Sequence, residues 1–236
     1  MQKKCVNLLF LSTLLFAGCS GVSVEPRLPA NSVPSELELT GQWLTPINTS
    51  AAYYIDPQPS GLTWYQGTLV SISDASADAT QIKRLHFIDP ATGVTSKSEP
   101  YTIASRLVDS CFTQYLQTKP DLEALVKDPF RPNSFITVTE DASTLGKLTP
   151  ACQARFSATH STPYPTVLVR LQLSPNSSAT GIEAFAGAKF EVTGVRAVQF
   201  PVNSEVGNFA NDGIEGLAMV DNTLFLGLEK NTYNQA

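Results

Sequence analysis

The sequence predicts an all-β chain: a partial β-propeller-like array of antiparallel blades with one short inserted helix at about residues 105–117. Three observations carry that prediction. Short segments rich in β-branched and aromatic residues recur from residue 60 onward, punctuated by turn clusters such as Asp89-Pro-Ala-Thr-Gly93. A single two-strand design appears three times along the chain. The composition is 42% hydrophobic with twelve Phe and only 16% charged, so there is enough apolar surface to offset the entropy of ordering the chain. The formal net charge of −5 over 236 residues sets nucleic-acid binding aside, because an acidic chain repels phosphates instead of displacing their counterions.

Residues 1–18 read as a lipoprotein signal peptide. Lys3 and Lys4 precede an apolar run from Val6 to Phe16, and the small residues Ala17 and Gly18 follow. The run is shorter than the roughly 20 apolar residues a membrane-spanning helix needs. Leu15-Phe16-Ala17-Gly18-Cys19 resembles the bacterial lipobox, in which the cysteine is acylated (palmitate among its acyl groups) and becomes the new N-terminus; Phe16 stands where that motif usually has Leu. The alternative is an ordinary signal peptide with an incidental cysteine. Ser20 follows where inner-membrane retention usually has Asp, so the resemblance implies the outer membrane of a bacterial cell envelope, with the domain facing the periplasm. Residues 19–35 then form a lipidated, Pro-punctuated tether, and residues 36–236 the folded domain.

Within that domain, strands are expected at Thr68–Ser73, Arg84–Ile88, Ser134–Thr139, Thr166–Leu173 and Thr223–Leu228, each alternating or continuously apolar. One segment has a different period. Leu107, Val108, Cys111, Phe112, Tyr115 and Leu116 recur at helical spacing, with Ser105 placed to cap the start, which predicts a short amphipathic helix from Ser105 to about Gln117. Cys5 leaves with the signal and Cys19 takes lipid, so Cys111 and Cys152 remain in an oxidising compartment. They form a disulfide or stay as two separate buried thiols. With no CxxC and no nearby His pair, a zinc site is not expected.

The threefold design is the most informative feature. Its copies are Ser60–Asp74, Asp121–Asp141 and Asp212–Glu229. Each runs from a small or acidic start through an apolar strand, a turn and a second apolar strand to an acid. Glu123 and Glu215 hold the same place in the second and third copies, where the first has Thr63. At about 40–50 residues per four-stranded blade, residues 36–236 supply three to four blades. The sequence is therefore expected to be the front part of a larger domain, unless strands near Glu36–Tyr54 complete the last blade.

Asp-Leu-Glu-Ala-Leu (121–125) with Thr-Val-Thr-Glu-Asp (137–141), and Gly-Ile-Glu-Gly-Leu-Ala (213–218) with Gly-Leu-Glu (227–229), resemble the phytase-like ("esterase-like activity of phytase") domain family. Ser-Gly-Leu-Thr-Trp (60–64) with Ser-Ile-Ser-Asp (71–74) is similar to that family's opening blade. The resemblance implies a propeller with acids around one mouth of its channel, Ca²⁺ held by those acids, and phosphoric ester hydrolysis of a phosphorylated small molecule. The candidate metal ligands are Glu123, Glu140, Asp141, Glu215, Glu229 and Asp74. Such acids supply hard oxygens, of which Ca²⁺ takes six to eight. The structural alternative is that they cap inner strands by accepting backbone N–H groups.

Other chemistry finds less support. Asp74–Thr80 alternates oxygens like a calcium loop, but Ala79 stands where such a loop needs Gly and Leu85 where it needs Glu, which leaves a solvated turn. No GxSxG, HExxH, P-loop or GxGxxG is present. His86 reads as a strand side chain, His160 as a surface residue, and Trp43 and Trp64 as core residues. Arg84, Arg170 and Arg196 are phosphate clamps or strand-face charge. Beside the hydrolase reading stands a non-catalytic propeller that scaffolds envelope proteins or carbohydrate, or an inactive truncated fragment.

Overall fold

In the computed structural model, which describes residues 41–47, 56–140, 148–159, 166–208 and 212–228, the period-two segments become three successive antiparallel units. The first sheet holds β1 (Thr45–Pro46), β2 (Pro59–Tyr65), β3 (Thr68–Ser73), β4 (Leu85–Ile88) and β5 (Val94–Lys97), in the order β1-β5-β4-β3-β2. The second holds β6 (Thr102–Ile103), β7 (Leu122–Lys127), β8 (Ser134–Thr139), β9 (Thr166–Ser174) and β10 (Lys189–Val198), in the order β6-β10-β9-β8-β7. The third is a hairpin of β11 (Ile214–Val220) and β12 (Thr223–Leu228). Consecutive strands pair as meanders, while β1 and β6 add parallel to β5 and β10 at the outer edges.

Two of the hairpins close with two-residue loops whose residues both have positive φ: Gln66-Gly67 (47° and 81°) and Asp221-Asn222 (45° and 65°). That backbone matches the right-handed twist of the strands, and it explains Gly, Asp and Asn at the tips. The first strand of each antiparallel meander (β2, β7 and β11) is the inner one, since β2 lies against β7 and β7 against β11. Meanders arrayed through their first strands are arranged as propeller blades, and the chain is all-β and propeller-like.

The main core lies between the first two sheets. Val167, Val169, Leu171 and Leu173, alternate residues of β9, are buried there with Ile72, Phe87 and Phe135. Phe87 stacks on Phe185 with ring centroids 4.3 Å apart, and Tyr65 meets Phe135 edge-on at 5.0 Å. Each such side chain contributes about 1.5–3 kcal/mol through burial. A smaller cluster of Ala124, Val138 and Ile214, flanked by Leu168, Leu217 and Leu226, joins the second unit to the hairpin.

The predicted helix over 105–117 is two pieces: a 3₁₀ turn at Ser105–Leu107 and α1 at Thr113–Gln117. Ala104, not Ser105, stands at the cap position, and no side chain caps the turn. The break has a local cause. The Thr113 hydroxyl donates to the Leu107 carbonyl and meets the Ser110 hydroxyl at 3.0 Å, so side chains take the place of helical amides. A second helix, α2 (Pro150–Ser157), was not expected, although its start is written in the chain: Thr149 Oγ1 accepts the Cys152 amide at 3.4 Å, and Pro150 sits in the first turn. The 10-residue β10, the longest strand among the described residues, is not apparent from the sequence; a bulge at Thr193, between Val192 and Gly194, breaks its alternation.

Cys111 and Cys152 are disulfide-bonded, with Cα atoms 5.6 Å apart and a sequence separation of 41. Closing a loop of that length stabilises the fold by about 4 kcal/mol in the chain-entropy model. Trp43 and Trp64 are 93% and 56% exposed, which corrects their expected core role. Trp64 lies on the solvent face of β2, next to buried Tyr65 on the core face. The signal peptide 1–18, Cys19, the tether 19–35 and His160 lie outside the described residues. No helix among the described residues is long and apolar enough to cross a membrane.

Candidate metal site at the inner-strand ends

Among the described residues, acids collect at the inner-strand ends of these units: Asp74 follows β3 in the first, Asp121, Glu123 and Glu140 surround β7 and β8 in the second, and Glu215 lies in β11 of the third. Asp121 precedes β7, Glu123 follows in its bulge, and Glu140 leaves β8. The bulge falls between Leu122 and Ala124 in β7 and between Ile214 and Gly216 in β11, so Glu123 and Glu215 are the equivalent bulged residues. In β2 the irregularity spans Ser60 to Thr63, which places Gly61 and Leu62 in the bulge and Thr63 beyond it. Thr63 is therefore not the structural counterpart of the two glutamates.

Two glycines let the inner ends close in. A Cβ on Gly61 (φ 62°) would lie 2.3 Å from the Leu125 nitrogen, and one on Gly213 would lie 1.5 Å from the Glu140 carbonyl oxygen. The second contact sets the start of β11, and with it Glu215, against the end of β8.

Ligand oxygens of Asp121, Glu123 and Glu140 lie within 4.8 Å of one another. Glu140 is buried, and Asp121 and Glu123 are half-buried. The frame is held by backbone contacts: the Glu140 amide donates to the Asp121 carbonyl at 3.2 Å, and Thr166 Oγ1 donates to the Glu140 carbonyl at 2.9 Å. Asp121 Oδ1 accepts the Ala75 amide at 3.0 Å, and Ser60 Oγ donates to Glu123 Oε2 at 3.3 Å. Burial first, then the fields of Asp121 and Glu215, pushes the Glu123 carboxyl up to about 8. Burial first, then Glu215, Asp121 and Glu123, raises Glu140 likewise to about 8. No basic side chain contributes to either shift.

The other candidates divide. Glu215 is exposed beside the cluster, with Glu140 as a hydrogen-bond neighbour. Asp74 adds to the negative field on Glu123, but its Oδ1 accepts the Ser76 and Ala77 amides at 2.5 and 3.2 Å. Together with the Thr80 contacts of Asp78, this makes Asp74–Thr80 a pair of side-chain-closed turns. Asp141 and Glu229 lie outside the described residues. In the sequence Asp121 stands out only as the start of a repeat, where its equivalence to Ser60 and Asp212 hides its role. Asp212, by contrast, is buried and accepts the Asn208 amide at 3.0 Å, which is the capping role expected of strand-end acids. Arg84 meets Glu99 at 3.7 Å and Arg170 meets Asp128 at 2.8 Å, partners away from the acidic cluster.

No family model and no curated protein matches the chain. Among solved structures it is similar to the PQQ-bound form of an aldose sugar dehydrogenase from Streptomyces coelicolor, with 15% identity, a TM-score of 0.33, and coverage of 72% of this chain and 37% of that one. The chain thus spans little more than a third of that protein's length, and a likeness of this size carries no argument about activity or cofactor.

Proposed function

We propose that the acidic inner-strand end binds Ca²⁺, and that the chain is a phytase-like phosphoric ester hydrolase held by a lipid anchor at the periplasmic side of the outer membrane. The observation that carries the metal reading is the convergence of Asp121, Glu123 and Glu140 within 4.8 Å. Burial, and then the neighbouring carboxylates, pushes two of these carboxyls up to about 8. An all-oxygen donor set in which a divalent cation would let every member ionise fits Ca²⁺ better than a nitrogen- or sulfur-preferring metal. Asp121 and Glu140 would provide the rigid ligands, each fixed through its backbone, with Glu123 completing the set and exposed Glu215 at the rim. The bound cation would supply the positive charge that holds a phosphate ester and acidifies a water. Titration calorimetry of the full chain with CaCl₂ at pH 7.5 is expected to show saturable binding with proton release. Turnover of p-nitrophenyl phosphate should stop on addition of EGTA. The absence of both heat and thermal shift would sink the metal site.

One observation favours a second reading, the non-catalytic scaffold. Arg84 and Arg170 are paired with Glu99 and Asp128, so neither serves as a phosphate clamp at the acidic cluster. Ca²⁺ binding without turnover, with or without chelator, would select that reading.

A further inference from the structure

Along β9, Leu168, Arg170 and Gln172 face away from the main core that buries Val167, Val169, Leu171 and Leu173. In register, Arg196 of β10 stands opposite Leu168, while Gly194 of β10 and Ile136 of β8 stand opposite Arg170. The two arginines therefore share one sheet face, a diagonal step apart. With Leu224 of the hairpin, this face lines an open groove of about 390 Å³ floored by Ile136 and Leu168. That volume falls within the roughly 300–1,000 Å³ of small-molecule sites. The groove is separate from the acids: its row crosses β8 at Ile136, three positions before Thr139, which pairs with the start of β7.

Arg170 is built into place. The buried Asp128 carboxylate accepts the Phe130 amide on Oδ1 at 2.9 Å and Arg170 Nε on Oδ2 at 2.8 Å. Gripping the guanidinium through Nε leaves its two terminal amino groups without a partner among the described residues, and Arg196 has none there either. Gly194 presents no side chain opposite Arg170, although a Cβ there would make only ordinary contact with Arg170 Cβ, at 3.4 Å. Asp128 offsets the charge of Arg170 but not that of Arg196, so the groove is matched to a monovalent anion.

The geometry points to a binding site for an aliphatic carboxylate, with its head between Arg170 and Arg196 and its chain along Ile136, Leu168 and Leu224. A guanidinium fork pairs with a carboxylate through parallel N–H donors, and the apolar floor gives the chain a dry surface. This inference is independent of the metal reading.

Hexanoate titrated into the full chain, followed by amide NMR shifts and calorimetry, is expected to saturate, with shifts centred on Ile136, Arg170, Arg196 and Leu224. Acetate carries only the head and hexanol only the chain, and each should bind at least about 10-fold more weakly. Arg196→Gln leaves the Asp128–Arg170 pair intact and should weaken hexanoate about 10-fold at an unchanged Tm. Arg170→Gln should weaken binding and also lower Tm, because it leaves Asp128 buried and unpaired. Equal hexanoate binding by wild type and Arg196→Gln, shifts centred elsewhere, hexanol binding as tight as hexanoate, or no saturation overturns the proposal.

Discussion

Glu123 and Glu140 hold protons in the folded chain up to about pH 8, whereas the ordinary value is 4.5. The unfolded chain releases those protons as pH rises past that ordinary value, while the folded chain keeps them. Stability of the metal-free protein therefore falls as pH rises from about 4.5 to about 8, and levels off above that. Glu123→Gln removes one of the strained carboxyls, so its Tm should drop less than the wild-type Tm between pH 5 and pH 8. Parallel melting profiles for the two proteins would show that Glu123 does not hold its proton differently in the folded and unfolded chains. His86 acts in the opposite sense in a lower window: burial first, then Lys97 and Arg84, depresses it to about 4, so its contribution is lost as pH falls from about 6.5 toward 4. At this scale Glu123, Glu140, Glu215 and Asp74 were legible because they recur at equivalent points of a repeat. Asp121 was not, because its partnership with Glu140 is made across a strand pair and has no sequence spacing.

The strands that alternate cleanly were readable, and those that do not were not. Ser134–Thr139 and Thr223–Leu228 match their expected limits, whereas β10 was hidden by the bulge that gives Gly194 its place beside Arg170. Helix α2 carries too little apolar periodicity to be seen, and only its Thr149-Pro150 start announces it. The elements that build the mouth depend on a close approach of backbones. Gly61→Ala puts a methyl 2.3 Å from the Leu125 nitrogen at a positive φ, so β2 must move away from β7. The expected cost is about 3 kcal/mol or more, read as a lower midpoint in urea unfolding. A midpoint within error of wild type would mean that the inner strands are not packed as described.

Across the whole molecule, the array was legible from repetition alone, since each unit needs a neighbour to bury its face. How closely the inner strands approach, and which faces stay uncovered, depends on packing that no single strand records. Among the described residues the third unit is a two-stranded hairpin with Val220, Phe225 and Leu228 each about half exposed. An apolar strand whose outer edge meets no other strand among the described residues is a template for pairing with a second chain. Concentration-dependent self-association is therefore expected in sedimentation experiments, and Phe225→Lys should reduce it without lowering Tm. Equal association by the variant would move the contact elsewhere.

The bond between Cys111 and Cys152 has a topological consequence. Asp121, Glu123 and Glu140 all lie on the stretch of chain that it closes into a ring. A single backbone cut anywhere inside that ring separates no fragment: the protein still migrates as one piece until a reductant is added, and only then falls into two. The three clustered carboxylates therefore stay covalently joined to the chain on either side of the ring after any single nick, so one cut cannot release them while the disulfide is intact.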